Sequence, residues 1–251
     1  MNVLLTFLKR RWWLTQDRLY STLMIMFMTP VIVFLFVHMP LNAIIVRSIR
    51  NISYGEWAYP GYLTIISFLG LLPTIYRDLF ELRIHKKALL PITLTPVSKT
   101  EIVVGIVASA VVESIFFVVI AMVVFTSLMD VSFRWFDFLF IIVYMILQGF
   151  LIGNVISTIS LLTKRVTTFI PLILIVMGFI TFGTGCLLEF EFFPGQISGL
   201  LKLIPSSMLL ENLRTVLFTR YFIWWTFITP LLITVLLTLL NGRILKQVLK
   251  Q

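Results

Sequence analysis

The sequence is poor in charge and almost without cysteine. Only 12% of its 251 residues are Asp, Glu, Lys or Arg, where a soluble domain carries about a quarter. Hydrophobic residues make up 59% and the mean hydropathy is +1.04. No water-soluble fold hides that much apolar surface, so lipid must serve as solvent. A lone cysteine, Cys186, excludes an internal disulfide and reads as a small packed apolar residue. The two histidines, His38 and His85, lie too far apart in depth to share a metal, and there is no Cys/His cluster. No acid, base and nucleophile converge in sequence, which leaves no hydrolytic or redox site.

What is present is apolar length. Crossing the roughly 30 Å hydrocarbon core takes about 20 helical residues. Six runs qualify: 22–39, 59–75, 102–126, 138–162, 168–188 and 222–240. The third and fourth are long enough to tilt or project. None alternates in the manner of a barrel strand. The expected fold is therefore an all-α membrane protein with six spans in one domain, 1–251.

Acidic residues are also scarce, 11 against 20 Lys and Arg, for a net charge of +9. In a soluble protein that balance would suggest nucleic acid. Here the positive-inside rule explains it, and no nucleic-acid partner is expected. Fourteen of the basic residues fall on the side that holds both termini and six on the other. This bias puts both termini in the cytoplasm, and the expected location is a multi-pass place in the plasma membrane, the inner membrane of a bacterium. All six tryptophans (Trp12, Trp13, Trp57, Trp135, Trp224 and Trp225) fall at the ends of the runs, where an amphipathic ring suits the interface.

The first 21 residues lack a small-residue cleavage site and do not read as a signal peptide. Leu4, Leu8, Trp12 and Leu19 can share one helical stripe, with Lys9, Arg10 and Arg18 elsewhere, as in an amphipathic helix on the inner membrane surface.

The longest connection on the terminal side is 76–101. Its first part, YRDLFELRIHKKALL, has helical character. Arg77 and Glu81 stand at i,i+4 as an attractive pair, and Arg83 with Lys87 forms a basic edge. Leu79, Leu82 and Leu89 can form an apolar ridge. Pro91 breaks this helix, Pro96 fixes a turn, and Ser98 with Glu101 completes a Ser-x-x-Glu capping box for the third span. A short surface helix set rigidly at the foot of a span suits a push from outside the membrane.

These residues resemble the permease subunits of ATP-binding-cassette exporters of the type-two class. The second span opens with Tyr59-Pro60-Gly61-Tyr62. The corner reads Thr95-Pro96-Val97-Ser98-Lys99, then Glu101 and Gly105. After the fifth span come Phe192-Phe193-Pro194, Ile204-Pro205, Glu211 and Arg214. With the six-span layout and the amphipathic start, the resemblance covers essentially the whole chain. One element departs: the Arg-x-x-Gly-x-x-Glu pattern before the corner keeps Arg83 but has Lys87 near the Gly and Leu90 or Pro91 near the Glu, so contacts of that acid do not carry over.

The resemblance implies a dimer, of identical copies or close paralogues, above two ATPase subunits that bind ATP and Mg. The chain has no Gly-x-x-x-x-Gly-Lys-(Ser/Thr) loop and is not expected to be an enzyme or to hold a cofactor of its own. The helix from Arg77 to Leu90 becomes the coupling helix, with Arg77, Glu81, Arg83, Lys86, Lys87 and Pro96 as coupling residues. The substrate class implied is a hydrophobic drug, a lipid or a lipid-linked glycan.

Glu113 and Gln148 are candidates for the translocation path. Glu113, counted from Ile102, is about 17 Å along the third span, a costly depth for a carboxylate. Gln148 reaches a similar depth in the fourth. They can bond each other, or Glu113 can serve gating or substrate contact. Asn154, Ser157 and Thr158 read as packing residues. The external segment 189–221 is too apolar for a solvated loop and reads as short re-entrant helices, with Phe192 and Phe193 at an outer gate. The alternative function is a proton-coupled secondary transporter using Glu113, although no inverted repeat is evident. A structural scaffold or insertion factor has no feature in its favour.

Overall fold

A computed structural model describes residues 3–45, 47–48, 52–87, 89 and 97–249. Among them there is no strand, only an isolated bridge between Arg47 and Ser53. Helix α1 (Val3–Gln16) precedes six helices long and apolar enough to cross a membrane. These are α2 (Leu19–Ile44), α3 (Tyr54–Ile84), α4 (Lys99–Leu128), α5 (Trp135–Leu162), α6 (Val166–Gly183) and α9 (Trp224–Val248). Between the last two lie a 3₁₀ turn (Phe190–Phe192), α7 (Gly195–Lys202) and α8 (Pro205–Thr219). The chain is a six-span helical membrane protein.

Helices α3, α4 and α5 form the centre, and small residues set how closely they approach. A Cβ at Gly153 would stand 3.1 Å from Val107, and one at Gly70 3.2 Å from the Ser114 backbone. Beside them the hydroxyls of Ser67 and Ser114 share a hydrogen bond of 2.8 Å, the small-residue packing that lets membrane helices associate without a hydrophobic driving force. The tightest approach is at Gly61, where a Cβ would meet the Cys186 carbonyl oxygen at 2.1 Å. Cys186 is fully buried there, as its sequence context suggested.

Several expected boundaries shift. The fifth span ends at Gly183, not Leu188, because a π stretch (Phe179–Gly183) passes into irregular backbone with Gly185 at φ +75°. The second span does not stop at Ile75. Its helix runs through a π stretch (Tyr76–Glu81) to Ile84, so the expected surface helix is the continuation of α3. Asp78, Leu79, Phe80 and Leu82 are buried on it, and Leu89, also buried, lies beyond its end, so the expected ridge reaches only Leu82 on this helix. A third π stretch (Phe34–His38) in α2 brings His38 Nδ1 to 3.3 Å from the Tyr62 hydroxyl. Five of the six tryptophans are exposed to the surroundings. Trp57 is not: it is 4% exposed, beneath Arg214 of α8.

Both termini lie on one face, set by the foot of α4. The Ser98 hydroxyl accepts from the Glu101 amide (3.1 Å) and the Glu101 carboxylate accepts from the Ser98 amide (3.3 Å), the expected capping box. At the same foot Gly242 of α9 crosses Thr100 so closely that a Cβ would stand 2.3 Å from the threonine hydroxyl. Phe7 of α1 lies on Gly105.

Candidate functional site

Two polar regions stand out, one at the terminal face and one inside the bundle. At the terminal face, α1 crosses α4 with Phe7 and Arg11 turned inward. Arg11 Nε is 3.3 Å from Glu113 Oε2, and its Nη2 is 3.6 Å from Asp78 Oδ2. Arg10 reaches the other Asp78 oxygen at 3.6 Å, and Arg77 reaches it at 3.5 Å. The Thr74 hydroxyl donates to Glu113 Oε2 at 2.9 Å. Glu113 therefore answers the cost of a buried carboxylate with a cation and a hydroxyl.

The expected Glu113–Gln148 bond does not form. Gln148 donates to the Ser206 hydroxyl of α8, while Glu113 faces α1 and α3. Glu113 is level with α1, which carries Lys9, Arg10, Trp12 and Trp13. A glutamate inside a span with an arginine-bearing interfacial helix upstream was the available signal.

The coupling candidates occupy the same face. The expected Arg77–Glu81 pair is absent: Arg77 turns to Asp78, and Glu81 pairs with Lys86 at 2.9 Å. Arg83 is no solvated edge. Its Nη2 donates to the Ser160 carbonyl at 2.8 Å, and the guanidinium also bonds the carbonyls of Leu161 and Thr163. These are acceptors at the C-terminal end of α5, where a cation also complements the helix dipole. Lys87 is exposed, in the left-handed region at φ +50°. Pro96 lies outside the described residues.

Inside the bundle, α8 carries the polar groups. The Tyr144 hydroxyl donates to Asn212 Oδ1 at 3.1 Å, and Asn212 Nδ2 donates to the Thr226 hydroxyl at 2.7 Å. Arg214, 1% exposed, donates from Nε to the Trp57 carbonyl at 3.0 Å, with its guanidinium 3.7 Å over the Trp57 ring. Within 189–221, α8 packs among α3, α5 and α9. Phe192 is exposed and Phe193 half-buried, and neither touches Glu113 or Gln148; Phe190 is the buried ring of that segment, under Gly185. The four path candidates therefore do not converge on one site. Next to α8, Arg220 holds Asp137 through both carboxylate oxygens, which raises the guanidinium further above its ordinary value.

On the terminal side, Asn154, read as packing, proves to be half of an interhelical pair. Asn241 Nδ2 donates to its carbonyl at 3.0 Å and to its Oδ1 at 3.1 Å, and Thr158 donates to Asn241 Oδ1 at 2.8 Å. No protein-family model matches this sequence, and no curated protein does.

Proposed function

We propose that the chain is the membrane subunit of an ATP-driven exporter, working as a dimer above two separate ATPase subunits. One observation carries the reading. Four spans meet at one junction, where α3 ends and α4 begins. Arg83 ties the end of α3 to the end of α5, the capping box fixes the start of α4, and Gly242 of α9 crosses that start. Displacement of this junction would move the spans as stiff rods. Such a junction suits a motor that closes beneath the membrane, and the sequence supplies no phosphate loop of its own.

The substrate under this reading is a hydrophobic drug, a lipid or a lipid-linked glycan, moved between two copies. In the alternative, a proton-coupled cycle at Glu113, the carboxylate would have to leave its contacts with Arg11 and Thr74. The test is charge reversal at Lys86 and Lys87, both exposed. Pull-down of the ATPase subunit is expected to fall while insertion and folding persist. Unchanged pull-down and an unchanged substrate-stimulated ATPase rate would remove the coupling role.

A further inference from the structure

Helix α1 meets α2 at an elbow, Asp17–Arg18, and both helices pack on α4. Because the elbow bends away between those contacts, a half-open groove of about 590 Å³ remains beneath it. That is within the ~300–1,000 Å³ of small-molecule sites. Its walls are almost wholly apolar: Trp12, Leu19 and Met26 on one side, Val112, Phe116 and Ile120 on the other.

Three features specify an occupant. The first is length. The groove follows α4 from Ser109 to Ile120, about 17 Å at 1.5 Å per residue. One leaflet of a roughly 30 Å hydrocarbon core is about 15 Å deep. The second is placement. The upper end is level with Trp12 and Trp13, both exposed and suited to the interface, and the lower end reaches Met26 and Ile120 within the spans. The third is charge. Lys9 and Arg11 stand at the upper end. Behind them, Arg10, Arg11, Arg77 and Lys86 meet Asp78, Glu81 and Glu113, four cations against three acids among the described residues before Lys9 is added. Arg11 is in ion-pair range of both acids, yet its buried Nε and Nη2 make no hydrogen bond.

We propose that this groove holds one acyl chain of an anionic, phosphate-bearing lipid from the leaflet on the terminal face, with its headgroup against Lys9 and Arg11. A chain of leaflet length fills the apolar slot. The phosphate supplies the negative charge missing at its top. The lipid then sits between α1 and α4 as a wedge, and the docking of α1 depends on it. The site is independent of the export reading, since it needs neither an ATPase nor a second copy.

The test uses the full chain in vesicles doped with phosphatidylglycerol bearing a photoactivatable diazirine midway along one acyl chain, and phosphatidylcholine with the same group. Labelled peptides are identified by mass spectrometry. Phosphatidylglycerol is expected to label the peptides around Met26 and Phe116 about fivefold more than phosphatidylcholine, the scale of one basic residue at an anionic surface. Val112→Trp, which fills the slot from an exposed position, is expected to remove this labelling. Lys9→Glu, which leaves the slot open, is expected to abolish the preference between the two lipids. Equal labelling by both lipids in the unmodified protein, or labelling spread evenly over α6 and α9, would overturn the proposal. So would a chain-to-chain cross-link through Val112→Cys in place of lipid labelling, which would give the groove to a second copy.

Discussion

Helices α3, α4 and α5 bury 72, 67 and 56% of their apolar stretches within the molecule, whereas α2, α6 and α9 bury 22, 22 and 28%. The central three are packed as a protein core, with glycine and serine at the crossings. The outer three show lipid-sized faces, among them Phe36, Leu174, Ile175 and Leu236. In water such faces would collapse onto something. In a bilayer they are already solvated, so their exposure carries no penalty and leaves them open to lipid or to a second copy. The difference separates what holds the chain together from what it can offer to others.

The sharpest way to break the central region is Gly61→Ala. Its Cβ would collide with backbone at Cys186, which no rotamer change relieves. Loss of folded protein is expected, at about 3 kcal/mol or more, read as monodisperse yield and thermal unfolding in detergent. Arg214→Leu removes a charge-assisted hydrogen bond and a guanidinium–indole contact where α8 meets α3. It is expected to cost about 3 kcal/mol, with the segment 189–221 becoming sensitive to protease first.

Glu113→Gln tests the seam between the regions. The amide still accepts from Thr74 but no longer balances Arg11, so a loss of about 1–2 kcal/mol is expected, confined to the docking of α1. Protease cleavage near Asp17 should accelerate while the spans stay protected. Glu113→Leu should exceed it, by also leaving Thr74 without its acceptor. At the outer surface, Leu174→Ala and Leu236→Ala are expected to change stability by less than about 0.5 kcal/mol. A larger effect that depends on protein concentration would show that these faces bind a second copy.

The sequence carried this division unevenly. Six apolar runs, the capping box at Ser98 and the packed character of Cys186 were legible because each depends on local composition or on i,i+3 spacing. The continuation of α3 to Ile84 was not: polar residues at 76–81 signal an exit from lipid, yet Asp78 is buried by Arg10 and Arg11, more than sixty residues upstream. The seat of Arg83 on the end of α5 was equally hidden, since nothing about an arginine in a basic stretch tells which distant carbonyls it will meet. Gln148 and Glu113 looked alike by depth, and only their distant partners separated them: Arg11 and Thr74 hold the one, Ser206 the other.

The account rests on the α3–α4 segment as the place where an ATPase pushes. Tagged chain purified from its native membrane, with partners identified and quantified by mass spectrometry, tests this most directly. An equimolar subunit bearing a Gly-x-x-x-x-Gly-Lys-(Ser/Thr) loop is expected, and it should be lost on charge reversal at Lys86 and Lys87 while the bundle keeps its thermal stability. Purification without any such subunit, or one retained unchanged by the double reversal, would contradict it.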